Sequence, residues 1–195
     1  KWLLEKRVYA TGDAFIVLSQ AFGEVLHTRF RVPWDRIHVI PGGVDHERFA
    51  FRPETASARN ELSWPLDRKI VVCVRRLQRR MGLGKLIRAV ERLRETHPDV
   101  LVMIAGKGPL QDELASQIAT AGLSEHVRLL GFVSDEDLPK LYAAADCSVV
   151  PTEAWEGFGL ITLESLSTGT PVLVSPVGGL PEAVGGLSKE LVLPD

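Results

Sequence analysis

Eight short runs of apolar, largely β-branched residues punctuate this chain: AFIVL (14–18), IHVI (37–40), KIVVCV (69–74), VLVMIA (100–105), VRLL (127–130), CSVV (147–150), PVLV (171–174) and ELVL (190–193). Most are continuous rather than alternating, which suits strands covered on both faces, as in a parallel sheet. Segments of helical period lie between them. LGKLIRAVERLRETH (83–97) places Leu86, Ile87, Val90 and Leu93 on one face. LQDELASQIATAG (110–122) closes on a glycine suited to a helix C-cap, and SDEDLPKLYAAAD (134–146) opens with Ser134 and Asp137 at capping-box spacing. Strand and helix in alternation predict an α/β sheet with right-handed crossovers.

One stretch breaks that rhythm. DHERFAFRPETASARNELSWPLDR (45–68) is polar, carries Pro53 and Pro65, and offers no strand; it reads as a linker with a short helix at 55–63. The expected organisation is therefore a Rossmann-like domain over residues 69–195, a parallel sheet with helices on both faces, joined by a linker at 51–68 to residues 1–50. Two strands and two helices in 1–50 are too few for an independent core, so this part reads as the tail of a preceding domain. The chain starts at Lys1 inside a helix-like pattern and ends on LVLPD. We therefore expect a piece of a longer protein.

Composition excludes several classes of function. Of the 195 residues, 45% are apolar and 25% charged, the balance of a globular protein, and the formal charge of −2 gives no electrostatic footprint for nucleic acid. Cys73 and Cys147 each sit inside an apolar run and read as buried hydrophobes of a reducing compartment, which places the protein in the cytoplasm. His27, His38, His46, His97 and His126 are scattered, with no metal-ligand spacing among them, so no metal is expected. The dinucleotide fingerprint fails in GKGPLQ (106–111), where Gln111 stands at the third glycine position. GLGKL (82–86) departs from the phosphate loop: Arg79 stands at the first glycine position and Leu86 at the Ser/Thr position.

Ligands of such sheets bind at the carboxyl ends of the strands. The loops there are PGGVD (41–45), RRLQRRMG (75–82), GKGP (106–109), GFVS (131–134), PTEAWEGFG (151–159) and SPVGGLPE (175–182), and most carry glycine. After CSVV a helix is expected to begin near Phe158 or Gly159. Its first amides have no intrahelical partner, which makes them a site for phosphate. Glu156 lies just before this helix. Glu164 lies within it, on the face of Leu160 and Ile161, where a carboxylate needs donors. A vicinal diol supplies two; a salt bridge to a basic residue is the alternative. Arg75, Arg76, Arg79 and Arg80 cluster after KIVVCV, where their forks suit phosphate oxygens. Glu153 has no assigned role.

These segments, taken in order, resemble a known family. IPGGVDHERF, VRRLQRRMGLGKLIRAV, VMIAGKGPLQDEL, VRLLGFVSDEDLPKLYAAADCSVVPT, EGFGLITLES and STGTPVLVSPVGGLPEAV are similar to the donor-binding half of GT-B glycosyltransferases, the retaining family four, also called group 1. The resemblance covers nearly the whole chain and is most specific in the pair Glu156 and Glu164. It implies transfer of a sugar from a UDP-, GDP- or ADP-sugar to a glycan, lipid or small-molecule acceptor with retention of configuration, and no cofactor.

By the family's motif, Glu164 would hold the ribose hydroxyls and Glu156 those of the donor sugar. The backbone amides of Gly157, Phe158, Gly159 and Leu160 would meet the diphosphate or sugar. Arg76 would neutralise the leaving diphosphate, with Arg80 beside it, while Gly106, Gly108, Phe132 and Val133 would line the nucleotide pocket. In the mechanism proposed for the family the acceptor attacks from the leaving group's side and a phosphate oxygen takes its proton. The acceptor, and any peripheral membrane contact, would be read by a domain preceding residue 1.

Three positions depart from the pattern. Met81 replaces a lysine, with Arg79 or Arg80 as candidates for its charge. Gly42 replaces an asparagine, and Ser165 an alanine. Two alternatives share the architecture, a nucleotide-sugar 2-epimerase and a non-catalytic sugar-nucleotide-binding relative.

Overall fold

The computed structural model describes residues 2–50 and 54–194, with the side chains of Trp2 and Leu3 outside the description. Pro53 and the first part of the expected linker also fall outside it. Five strands form one parallel sheet: β3 (Lys69–Val74), β4 (Val100–Ala105), β5 (Val127–Gly131), β6 (Cys147–Val150) and β7 (Val172–Val174), in the order β5-β4-β3-β6-β7. β1 (Phe15–Val17) and β2 (Ile37–Val39) pair in parallel as a separate two-stranded sheet.

The continuous apolar runs have the reason the sequence suggested, because alternate residues serve opposite faces. From β4, Val100, Val102 and Ile104 pack with Leu83, Ile87 and Val90 of α4 (Leu83–Leu93) and with Leu114 and Ile118 of α5 (Gln111–Thr120). Leu101, Met103 and Ala105 of the same strand face the other way, with Ile70 and Val72 of β3 and with Leu141 and Tyr142 of α6 (Leu138–Ala143). Helices therefore cover both sides. Ser134 accepts from the Asp137 amide at 3.1 Å, as the capping-box spacing predicts, and α6 begins directly after.

Two boundaries differ from the sequence reading. The helix at 83–97 ends at Leu93, and 94–97 form a turn closed by His97 N–H to the Leu93 carbonyl (2.8 Å), since Pro98 cannot carry a helix further. The run ELVL (190–193) is not a strand. Lys189–Leu191 form a 3-10 turn capped by Ser188, and only Val192 bridges to Val174 at the sheet edge.

The described part of 51–68 packs tightly. α3 (Thr55–Glu61) lays Ala58 on Ala143 and Ala144. Its buried Arg59 donates to the carbonyls of Ala144 (2.9 Å) and Arg68 (3.0 Å) and to Asp146 Oδ2 (2.8 Å). Of residues 1–50, α1 (Trp2–Thr11), α2 (Gln20–Phe30) and both strands share a small cluster of Val17, Leu26, Val32 and Ile37. They dock on the larger sheet through Glu182 of α8 (Leu180–Val184). Its carboxylate accepts from the first amides of α2, Gln20 (2.7 Å) and Ala21 (2.9 Å), where the helix dipole favours negative charge. Phe49 is already part of the main core.

Candidate functional site

The chain order reverses between β3 and β6, which are adjacent in the sheet although two strands, β4 and β5, lie between them in sequence. At such a switch point the loops leaving the two strands diverge and open a crevice. The crevice is a cavity of about 550 Å³, lined by Arg75, Arg76, Arg80 and Met81 after β3, by Ala105, Gly106 and Lys107 after β4, and by Phe132 and Val133 after β5. Glu156 and Ile161 complete it from the β6 side, and Leu138 from α6. The volume is that of a small-molecule site.

Close backbone approach shapes the walls. Gly106 has φ +140°, and a Cβ there would lie 1.9 Å from the Arg75 carbonyl, so only glycine lets the β3 and β4 loops touch. Gly178 (φ +58°) allows the 175–179 loop against Glu156, whose carbonyl a Cβ would meet at 2.0 Å. The neighbouring Gly179 amide donates to that same carbonyl at 3.1 Å. The backbone of Glu156 is thus fixed from the β7 side.

α7 (Leu160–Ser167) starts at the cavity lip, N-capped by Gly159 in the left-handed region. The amides of Gly157, Phe158, Gly159 and Leu160 donate to no protein acceptor among the described residues, which suits them to an anion, although none of the four lines the cavity itself and Phe158 and Gly159 are buried. Phe158 is buried, so it contributes its backbone, whereas Leu160 is 43% exposed. Ser165 ties α7 to the sheet: its hydroxyl bonds Ser148 of β6 at 2.6 Å and donates to the Thr170 carbonyl.

The two glutamates have distinct partners. Glu156 forms an ion pair with Arg75, whose Nη2 also donates to Thr152 Oγ1; the three groups are largely buried. Glu164 makes no ion pair among the described residues, contrary to the salt-bridge alternative; instead it accepts the Tyr142 hydroxyl at 3.2 Å. Burial pushes the Glu164 carboxyl above the usual carboxylate range, while the Tyr142 hydroxyl and the Arg48 charge pull it back. Burial and the facing carboxylate together keep the Tyr142 hydroxyl protonated well above the ordinary phenol range. Glu164 does not line the cavity; it stands one turn further into α7 than Ile161, which does.

The arginines divide. Arg76 is exposed in the cavity wall, and its side chain has no protein partner among the described residues. Arg80 also lines the cavity, but its Nη1 donates to the Trp155 carbonyl at 2.8 Å. Arg79 pairs with Glu113 (3.1 Å) at the surface and is not among the residues lining the cavity, whereas Arg80, the other candidate for the charge of a lysine at Met81, is. Lys107 lies over the Phe132 ring, 5.2 Å from its centroid, so a cation and an exposed aromatic share one wall. Gly108 lies beside this wall, where a Cβ would meet the Leu77 carbonyl at 2.4 Å. Glu153 is exposed and pairs with Lys85 at 3.4 Å. No group of three or more His, Cys, Asp or Glu converges among the described residues.

Sequence reasoning passed over Tyr142, Thr152, Lys107 and the distinct role of Arg75. A signal existed for one of them. Leu138, Leu141, Tyr142 and Ala145 share a helical face, and a phenol on a buried face needs a hydrogen-bond partner.

The chain is similar in sequence and in fold to known glycosyltransferases. The chain is 36% identical to an uncharacterised glycosyltransferase of Methanocaldococcus jannaschii over 87% of its own length and 44% of that protein. It is 36% identical to a GDP-mannose-dependent phosphatidylinositol monomannoside mannosyltransferase of Mycolicibacterium smegmatis, over 74% of this chain and 40% of that one. The structure of Anabaena HepE solved with UDP and glucose superposes with a TM-score of 0.80 at 27% identity, covering 93% of this chain and 49% of the other. The chain therefore spans less than half the length of each. Residues 54–194 match the family model of glycosyl transferases group 1, and residues 1–48 match that of glycosyltransferase family 4. This chain belongs to the glycosyl transferases group 1 family.

Proposed function

We propose that this chain forms the donor-binding half of a retaining glycosyltransferase and holds a nucleoside diphosphate sugar in the β3/β6 crevice. The observation that carries the reading is the placement of two differently held carboxylates on either side of four free amides, with the unpartnered Arg76 side chain in the wall of the cavity that Glu156 also lines. Glu164 receives the ribose hydroxyls, and Glu156 those of the sugar. The Gly157–Leu160 amides and Arg76 receive the diphosphate. Gly106, Gly108, Phe132 and Val133 enclose the nucleoside, and Arg80 braces the loop that carries Glu156.

The chemistry follows from charge. As the glycosidic bond breaks, negative charge grows on the departing diphosphate, and donors already aimed at it stabilise that state without reorganising. Glu156 and Glu164 bind rather than shuttle protons, since the acceptor's proton goes to the leaving phosphate. Attack from the leaving group's side retains configuration. Acceptor recognition belongs to protein beyond this chain, so the 195 residues are expected to bind donor and not to turn it over.

The test is calorimetry of the chain with UDP-, GDP- and ADP-sugars, wild type against Glu164→Ala. Binding of one donor, weakened at least tenfold by the substitution, supports the reading, because hydrogen bonds to a charged group contribute about 1.5–3 kcal/mol. Absence of binding to all three sinks it. Retention is read separately, from the anomeric configuration of the product made by the full-length enzyme.

A further inference from the structure

Arg75 is the group on which the side-chain position of Glu156 depends. It follows β3 directly, and its guanidinium reaches across the switch point to the loop after β6. There a single nitrogen, Nη2, donates to both Glu156 Oε2 and Thr152 Oγ1. The Arg75 side chain is 8% exposed and that of Glu156 15%. Arg75 Nε is buried without a partner. A guanidinium this deep, with one N–H unsatisfied, is tolerated because its counter-ion is in contact; removing either partner leaves the other a buried, uncompensated charge.

The backbone around Glu156 has its own supports, the Gly179 amide on the Glu156 carbonyl and Arg80 on the Trp155 carbonyl. Loss of Arg75 therefore frees the carboxylate and not the loop. Oε2 is occupied by the ion pair, while Oε1 has no protein donor among the described residues.

We propose that Arg75 is a positioning residue for the sugar end of the donor: it locks Glu156 in one rotamer, with Oε1 presented to the sugar hydroxyls. The proposal rests on the donor-site reading above. It also separates two tasks of the arginine loop. Arg76 faces the diphosphate as a free cation, and Arg75 acts only through Glu156.

The distinguishing quantity is the gain in affinity that the sugar adds to the nucleotide. It is measured by calorimetry as the ratio of dissociation constants for UDP and UDP-glucose, GDP and GDP-mannose, and ADP and ADP-glucose. In Arg75→Met the ratio for the bound pair should fall about tenfold, while affinity for the nucleotide alone changes less than about twofold. Arg75→Lys, which keeps the charge, should recover part of the ratio. If Arg75→Met does not fold, Arg75→Met/Glu156→Gln removes both buried charges; it should fold and bind nucleotide with no gain from the sugar.

An equal loss for nucleotide and nucleotide sugar overturns the positioning role and leaves the donor site standing. So does a double variant that keeps the sugar's gain, or a wild type that shows none. If the wild type binds no nucleotide at all, the donor site falls and Arg75's role with it.

Discussion

Tyr142→Phe is the substitution that isolates how Glu164 is held. It deletes one oxygen from a side chain that is 2% exposed and leaves the ring packed near Phe49, with centroids 6.3 Å apart. What is lost is the 3.2 Å bond to Glu164 Oε2. Bonds to charged groups contribute about 1.5–3 kcal/mol, but solvent reaches this carboxylate, so a loss near 1 kcal/mol is expected, roughly fivefold in affinity.

The sign with pH is fixed by the causes of the shift. Burial raises the Glu164 carboxyl and the phenol opposes it, so the variant's carboxyl sits higher still. A diol donates to the ionised form, so nucleotide affinity rises as pH climbs through this value, and the variant's curve lies at higher pH than the wild type's. Stability runs the other way. A carboxyl raised in the folded state favours folding below its unfolded value, and that contribution is lost as pH rises through the folded one; the variant moves the upper end of this window up. Calorimetry from the acidic range to neutrality, with ribonucleotides and their 2′-deoxy analogues, reads both effects. Preference for the ribose should shrink in the variant. Superposable pH curves and an unchanged ribose preference would refute the assignment of Tyr142 and Glu164 to the ribose.

Two further outcomes test the scaffold. Arg59→Met strips the donors from the Ala144 and Arg68 carbonyls and leaves Asp146 without its cation; with Asp146 partly exposed, a loss of about 3 kcal/mol is expected, seen as a lower urea midpoint with an unchanged slope. Burial pushes the Cys73 thiol up to about 12 against the pull of Arg75, and burial also raises Cys147. Since only the thiolate reacts, iodoacetamide at mildly alkaline pH should label neither cysteine until the chain is unfolded, and rapid labelling of native Cys73 would contradict the buried core.

The strands were legible because a sheet covered on both faces demands continuous apolar runs, and KIVVCV and VLVMIA have no other easy use. The face of α4 was legible from helical spacing except at its end, where Leu93, placed on the apolar face with Leu86, Ile87 and Val90, is 38% exposed; the lip of α7 was legible from its glycines. The edge run 190–193 misled because its apolar content is that of a strand. Its pairing partners are not there: a single bridge to Val174 and a Ser188-capped turn satisfy its backbone instead. Residue chemistry alone did not divide the arginines, and the family resemblance singled out Arg76 and Arg80 without separating Arg75. RRLQRR presents four equivalent cations, and only the fold sends Arg75 into the core, Arg76 to the cavity, Arg79 to Glu113 and Arg80 to a loop carbonyl.

The same limit applies to the glutamates, and it shows what the topology contributes. Glu156 and Glu164 are eight residues apart in one segment, yet neither is held by that segment. Glu156 is held from the end of β3, 81 positions earlier, and Glu164 from α6, 22 positions earlier. Both supports are in place because the chain crosses from β5 back to the middle of the sheet, which brings the end of β3 beside the loop after β6 and sets α6 against α7. One influence links the two ends: the charge of Arg75 acts on the Tyr142 hydroxyl, the smallest of the effects on it and opposed to the rise that burial imposes. A change at Arg75 should therefore be felt weakly at Glu164 as well as strongly at Glu156, and the cycle of Arg75→Met with Tyr142→Phe is the experiment in which simple additivity would show that the two ends of the site are independent.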